Sequence, residues 1–399
     1  MPMQRAGEQG TLLTIGLAWP HGSPMLQTTR FAAYCEGTEA GGVGRHSGPP
    51  PAEWGVPNVD RPPVTPPDTA RLRLSEFAAA VGLPASLRYS RVAAQRWVLE
   101  PFTGWCRRPV DVFALTGRLH LANGRVLPVG WGSRCCWPLS GKRRGARWPA
   151  LPRPSSPVSP FRTGPSIPAG GRICGSPASN SIAIWTGSNW IGRWGAADPT
   201  IDLRHRLGCR LGADDLEVLD DPTCGAAARY DVDDDGIIAT GATRILQDGV
   251  LVRQLHGRAS AAAAGELPTA NARSSQITLP PIPRMSNLIV SPGTNSFEEL
   301  VDGVGSGVII HHLSHGFSRG LHVEARIMLG EVVAAGRATG RFFTGGRVEE
   351  RVDVLTRCLA RARESELNPN ALCGKHGQIL YDVGTLAPAM RLSRLRIVA

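Results

Sequence analysis

Three groups of side chains in this 399-residue chain have the types and spacing to do chemistry. Near the C-terminus stands Cys373-Gly-Lys-His-Gly-Gln378, where a thiol could act as a soft metal ligand or a nucleophile. Upstream, His311-His312-x-x-His315 and His322 could supply imidazole ligands. They follow Gly307-Val-Ile-Ile310, which reads as a strand, so His311 and His315 would share a face about 13 Å apart. A converging metal site would need a turn after His312, and the plainer reading is polar histidines of a strand and loop. The third group, Asp231-x-Asp233-x-Asp235-Gly236, opens like an EF-hand loop. The position that should carry the bidentate glutamate is Ala242, so an acidic turn is expected rather than a calcium site.

Several motifs in order resemble one family. Leu219-Asp-Asp-Pro-Thr223, Tyr230-Asp-Val-Asp-Asp-Asp-Gly236, the hairpin at 245–255, Pro283-Arg-Met-Ser-Asn287 and Ser291-Pro-Gly293 are similar to the TldD/PmbA family of metallopeptidase-related proteins. The Cys373 tail, followed by Val383-Gly384 and Pro388, resembles the catalytic TldD type rather than its non-catalytic TldE (PmbA) paralogue. The resemblance covers residues 183–399. It implies zinc-dependent proteolysis of small or unfolded peptides, with two histidines and a glutamate from a His-Glu-x-x-x-His helix and the tail cysteine as third ligand. Such a three-ligand zinc leaves one position for water, lowers its pKa and polarises the scissile carbonyl. In this chain the stretch Ser188–Asp198 occupies the place of that helix, with Ser188 and Arg193 where the histidines belong and Asn189 where the glutamate belongs. Cys373 is the one expected metal ligand that remains, so zinc binding and hydrolase activity are both in question.

The family implies a paralogous TldE-like subunit or a second copy of the chain as partner. The leading expectation is a TldD-like zinc metallopeptidase homologue acting on peptides, its activity compromised by the substituted helix. The alternatives are a non-catalytic TldE-like subunit and an unstable product of a decayed gene.

The excess of positive charge, +11, belongs to one region. Between Asp111 and Asp198 there are eleven basic residues and no acidic ones, so the remainder of the chain is balanced. No protein-wide field steers nucleic acid. Lys142-Arg-Arg-Gly-Ala-Arg147, flanked by Trp137 and Trp148, could touch single strands, but reads more simply as a solvated basic loop. Nine cysteines without a C-x-x-C pair argue against a disulfide scaffold and knuckle-type zinc sites, which makes a reduced, cytoplasmic setting the expectation. No apolar run approaches the roughly 18 residues of a membrane span. Leu12–Trp19 makes a poor signal peptide, with one preceding Arg and no clean cleavage site.

All ten tryptophans precede residue 195, and only eight of 33 prolines follow residue 200. Two lysines stand against 42 arginines, a balance expected of a GC-rich gene, and the acid-free stretch is what such a gene gives when translated out of frame or after decay. Two domains are therefore expected: an uncertain region at 1–180 with linkers at 38–70 and 148–180, and a metallopeptidase-like domain at 181–399. In the first, Leu72–Leu99 suggests a helix and Val112–Val129 short strands about an Ala122-Asn123-Gly124 turn. In the second, Leu216–Leu219 suggests a strand, Asp248-Gly249 a hairpin turn, and Ser296-Phe-Glu-Glu299 a capping box opening a helix. Val348, Val352, Leu355, Leu359 and Ala362 recur at helical spacing. The fold class expected is α+β, mostly antiparallel sheet with a few helices, and an irregular N-terminal half.

Overall fold

Strand pairing organises both halves of the chain in the computed structural model. The structure describes residues 5–37, 43–49, 51–54, 74–75, 78, 84–100, 104–120, 126–133, 159–160, 182–185, 207–224, 228–277, 279–319, 321–368, 373–380 and 383–398.

The first sheet uses β1 (Arg5–Trp19), β2 (Met25–Gly37), β3 (Val43–Ser47), β4 (Ala85–Glu100), β5 (Gly104–His120) and β6 (Val126–Ser133). Their order is β3-β2-β1-β4-β5-β6, and every pair is antiparallel. Period-two burial explains the sheet. Leu13, Ile15 and Leu17 of β1 are buried and lie opposite Arg91, Tyr89 and Leu87 of β4, buried on the same face.

This corrects the expectation of an irregular first half and of a helix over 72–99. Leu74, Ser75 and Ala78 are helical, but from Ala85 the chain is strand. Ala85, Leu87, Tyr89, Arg91 and Ala93 alternate with less buried residues, and that period outweighs the looser three- and four-residue spacing of Leu74, Phe77 and Val81. The expected strands within 112–129 are present as parts of β5 and β6, while Ala122, Asn123 and Gly124 lie outside the described residues. Of the two expected linkers, 43–47 is strand and 159–160 pairs with the second sheet; 55–70 and most of 148–180 lie outside the described residues.

The second, 13-stranded sheet draws on β7 (Ser159–Pro160), β8 (Ile182–Trp185), β9 (Val218–Asp220), β10 (Thr243–Gln247), β11 (Val250–Leu251), β14 (Asn287–Val290), β15 (Gly307–Arg319), β16 (His322–Ala334), β17 (Arg337–Thr344), β18 (Arg347–Arg351), β19 (Cys358–Asn368), β22 (Gly384–Ser393) and β23 (Ile397–Val398). Its main path runs β11-β10-β9-β14-β22-β8-β15-β16-β17-β7, mostly antiparallel, with parallel pairs at β14–β22, β15–β8 and β17–β7. Two small hairpins stand apart: β12 (Ala272–Arg273) with β13 (Ile282–Pro283), and β20 (Cys373–Lys375) with β21 (Gln378–Leu380). Besides the helical residues Leu74, Ser75 and Ala78 and a 3-10 turn at Ala52–Trp54, there are two short helices in the second half, α1 (Arg258–Ala264) and α2 (Phe297–Asp302). The class is thus α+β dominated by sheet. No described helix is long and apolar enough to cross a membrane.

Local chemistry sets these boundaries. Ser296 caps α2: its Oγ accepts from Glu299 N at 3.1 Å while Glu299 Oε2 accepts from Ser296 N at 2.6 Å, the reciprocal box read from the sequence. Residues 348–362 are not a helix. They form β18, a loop and β19, and Leu359, which a helical face would bury, is 49% exposed. Arg361 is buried and forms a bidentate pair with Asp215, at 2.9 and 3.0 Å, holding the Asp215 carboxyl below its usual range through that hydrogen bond.

The Asp248-Gly249 turn joins β10 to β11 with φ of 50° and 73°, so both residues are left-handed, as a two-residue hairpin requires. A Cβ at Gly249 would stand 2.3 Å from Ala213 O and 2.4 Å from Gly212 O. Gly208 is also left-handed, at φ 81°, but has open space around it. Gly208→Ala should therefore lose only the conformational preference, about 1–2 kcal/mol. Gly249→Ala should lose visibly more, because backbone must move as well. Urea unfolding of the two variants checks the order, and equal losses would contradict the close approach.

Candidate functional site

The motif-bearing segments converge on the stretch from Ala270 to Asn287, which folds back on itself through β12 and β13. Asp220, at the end of β9, is fully buried and accepts from Ser286 N at 2.8 Å, Ser286 Oγ at 2.5 Å and Asn271 Nδ2 at 2.7 Å. Burial pushes its carboxyl above the usual range, against these hydrogen bonds and the charge of Arg273. Asn287 closes the next turn, donating to Asp221 O and Ala228 O at 2.7 Å each and accepting from Ala228 N at 2.8 Å. The Leu219-Asp-Asp-Pro and Arg-Met-Ser-Asn motifs are therefore one interlocked polar unit.

The acidic loop is inward-facing. Asp233 is buried, with Oδ1 accepting from Asp235 N (2.9 Å) and Ile237 N (2.8 Å) and Oδ2 from Ala272 N (3.0 Å). Asp235 Oδ2 accepts from Arg258 N at 2.8 Å, satisfying an amide of the first turn of α1. Asp234 Oδ2 takes Ser274 N (2.7 Å), Ser274 Oγ (3.1 Å) and Arg96 Nη1 (3.1 Å) from β4 of the first sheet. With these oxygens already turned to N–H and O–H donors, the loop is an acidic turn, as its failed EF-hand spacing suggested.

Cys373 opens the β20–β21 hairpin, whose turn His376-Gly377 has φ of 48° and 74°. The thiol is half-buried against the edge of the core. Its Sγ accepts from Nε of Arg284 at 3.2 Å, and the same guanidinium, fully buried, donates through Nη2 to Cys373 O and, at 3.2 Å, to Gln378 O. Gln378 in turn accepts from Ser275 N at 2.9 Å and donates to Pro280 O at 2.9 Å, while Lys375 Nζ donates to Pro283 O at 3.2 Å.

The other candidates do not join this site. Ser188, Asn189 and Arg193 lie outside the described residues. His311 Nε2 is 2.9 Å from Glu331 Oε2 on the neighbouring strand, and His312, His315 and His322 are strung along β15 and the start of β16 rather than gathered at a turn. Among the described residues no group of three or more His, Cys, Asp or Glu is placed to hold a metal ion. The sequence reading missed Arg284, Asn271, Arg273 and Arg96. The first was quoted only as part of a motif, and buried arginines carry no periodic signal.

The model of the PmbA/TldA metallopeptidase C-terminal domain matches residues 197–397, half of the chain. This chain belongs to the PmbA/TldD family. A metalloprotease of Synechocystis sp. is 29% identical over 197 residues, which cover 47% of this chain and 40% of that one. A metalloprotease of Methanocaldococcus jannaschii is 32% identical over 184 residues, 44% of this chain and 39% of the relative. The matches thus span about two fifths of each relative. In fold the likeness runs throughout: TldE from Thermococcus kodakarensis superposes with a TM-score of 0.69 at 11% identity, covering 100% of this chain and 96% of that one. The Thermotoga maritima protein described as a putative modulator of a DNA gyrase gives 0.70 at 16% identity, covering 99% and 96%. The match to the family model begins after Arg193, so it does not include Ser188, Asn189 or Arg193.

Burial and the neighbouring Asp235 charge push Asp233 up to about 8, against the amides of Ile237 and Ala272. The folded chain then keeps a proton that the unfolded chain releases near its ordinary value, so this group's contribution to stability falls as pH rises from about 4 through about 8. Asp233→Asn, which cannot ionise, should flatten that part of the profile. Melting temperatures of both proteins from pH 5 to 9 test it: wild type should lose several degrees more than the variant, and parallel curves would rule it out.

Proposed function

We propose that this chain is a PmbA/TldD-type metallopeptidase homologue that holds little zinc and cleaves little or no peptide. The observation that carries this reading is the donor set. The family's zinc takes two histidines, with a glutamate to accept a proton from water; the corresponding positions here read Ser188, Arg193 and Asn189. A guanidinium stays protonated and has no lone pair to offer, an amide does not act as a base, and a neutral hydroxyl is a poor zinc ligand. These residues do not fit a zinc centre, and Cys373 alone would not retain one. The guanidinium of Arg284 against the Cys373 sulphur supports the same reading, since it places a cation beside the remaining ligand.

A second reading rests on the superposition with TldE along its whole length. In it the chain is a non-catalytic subunit that shapes the peptide chamber of a paralogous catalytic partner, or pairs with a second copy of itself.

Elemental analysis should find well below one zinc per chain in wild type and in Cys373→Ala alike, with no peptide hydrolysis by either. About one zinc, lost with Cys373→Ala, would overturn the first reading by requiring replacement ligands. The triple variant Ser188→His, Asn189→Glu, Arg193→His should raise zinc uptake towards one per chain. Co-elution with a TldD-like catalytic paralogue on a sizing column would favour the subunit role, and a chain that elutes alone would count against it.

A further inference from the structure

The geometry points to Arg284 as the positioning residue for Cys373, fixing the sulphur and its hairpin from below with or without a metal. This goes beyond the proposed function and stands whether or not zinc binds.

The guanidinium is fully buried, yet among the described residues none of its hydrogen bonds goes to a carboxylate; they go to Cys373 Sγ, Cys373 O and Gln378 O. Nη1 is buried with no hydrogen-bond partner among the described residues. A buried cation is costly unless each donor is met, so the hairpin's sulphur and two carbonyls form most of its available compensation. The dependence is mutual. β20 and β21 pair over three residues each, too few for a hairpin to hold itself, and both belong to a sheet of two strands. Besides the packing of Leu380 into the core, what ties this hairpin to the domain is a set of polar contacts to the 275–284 segment: the three from Arg284, Lys375 Nζ to Pro283 O, and both ends of the Gln378 amide.

The fork geometry explains why arginine serves here. Nε faces the sulphur while Nη2 reaches carbonyls on both strands, so one planar group sets the rotation of the Cys373 side chain and the register between Cys373 and Gln378. Lysine, with one nitrogen, could meet some of these acceptors. Methionine could fill the volume and meet none.

The test is site-resolved alkylation of the folded, full-length protein with iodoacetamide, read by mass spectrometry, using half-buried Cys209 and exposed Cys224 as internal references. Arg284→Met should speed modification of Cys373 by about tenfold or more relative to Cys224, as lost charged hydrogen bonds shift local opening of the hairpin. Arg284→Lys should recover part of the protection. Unchanged labelling in Arg284→Met, or a lysine variant no better than methionine, would overturn the assignment, the latter by reducing Arg284 to a space-filler. Should Arg284→Met fail to fold, wild type supplies the readout. An arginine Nε–H resonance should shift in Cys373→Ala and not in Cys358→Ser, and no responding resonance would refute the contact. The alkylation is run on chelator-treated protein, so that zinc on Cys373 cannot supply the protection, and zinc content is measured separately; failure here is then distinguishable from failure of the proposed function.

Discussion

Two fully buried guanidinium groups, those of Arg273 and Arg284, impose the constraint around which the C-terminal domain is arranged. Removing such a cation from water costs several kcal/mol unless its donors are met. Arg273 donates to Met285 O at 3.0 Å and lies over the Tyr230 ring, 5.0 Å from its centroid. Tyr230 is itself held through its hydroxyl on Ala270 O. Arg284 is met by the tail hairpin. Both arginines sit on one short antiparallel excursion, β12–β13, so segments far apart in sequence (β9, the acidic loop, the 270–287 stretch and the tail) must meet at one place.

That convergence also fastens the two sheets. Arg96 of β4 reaches Asp234 Oδ2, Ser274 O at 2.9 Å and Ser275 O at 3.2 Å, and both partners of its ion pair are almost wholly buried. Ser275 N donates onward to Gln378, the hairpin residue that also meets Arg284. The first sheet is thus joined to the tail hairpin through two residues of one loop. A buried pair of this kind is a poor source of net stability but a strong penalty against misplacement, because either partner alone would be an uncompensated charge. Its role in this fold is to set where the first sheet lies.

The sequence made some of this legible and hid the rest for physical reasons. Asp248-Gly249 and the Ser296–Glu299 box could be read because each is a local device whose residues satisfy one another within a few positions. The other left-handed hairpin turns, Ala335-Gly336 and His376-Gly377, lack the Asn or Asp that usually marks the first position and so carry no such local signal. Strand β4 reads as helix from the sequence because Arg91, Gln95 and Arg96 are buried polar residues, which blur a pattern read from apolar ones alone. The 348–362 stretch failed the other way: its apolar residues fall at helical intervals while belonging to a strand, a loop and another strand, and Arg361 is drawn to Asp215 across the fold. For the site, the motif order pointed to Cys373, which the structure sets against Arg284, and to the acidic turn. Arg284 and Asn271 could not be assigned roles, since their partners, the Cys373 sulphur and the Asp220 carboxylate together with backbone carbonyls, lie on segments far away in sequence, and no local spacing marks such pairs.

The scaffold and the chemistry of this family therefore make separate demands on the chain. The polar unit formed by Asp220, Asn271, Arg284, Ser286 and Asn287 must be complete for the fold to close, because each member lost leaves a buried partner unsatisfied at about 1–3 kcal/mol. Zinc ligands make no such demand: a domain that buries its own polar groups without a metal can stand with the metal's partners replaced. Here the first set is present, and under the proposed function Ser188, Asn189 and Arg193 stand where the second would be. The Cys373 thiol belongs to both sets. As a ligand it lacks companions on the proposed reading, but it accepts a hydrogen bond from Arg284 in either case. A single surviving cysteine is thus no argument that the metal chemistry survives with it.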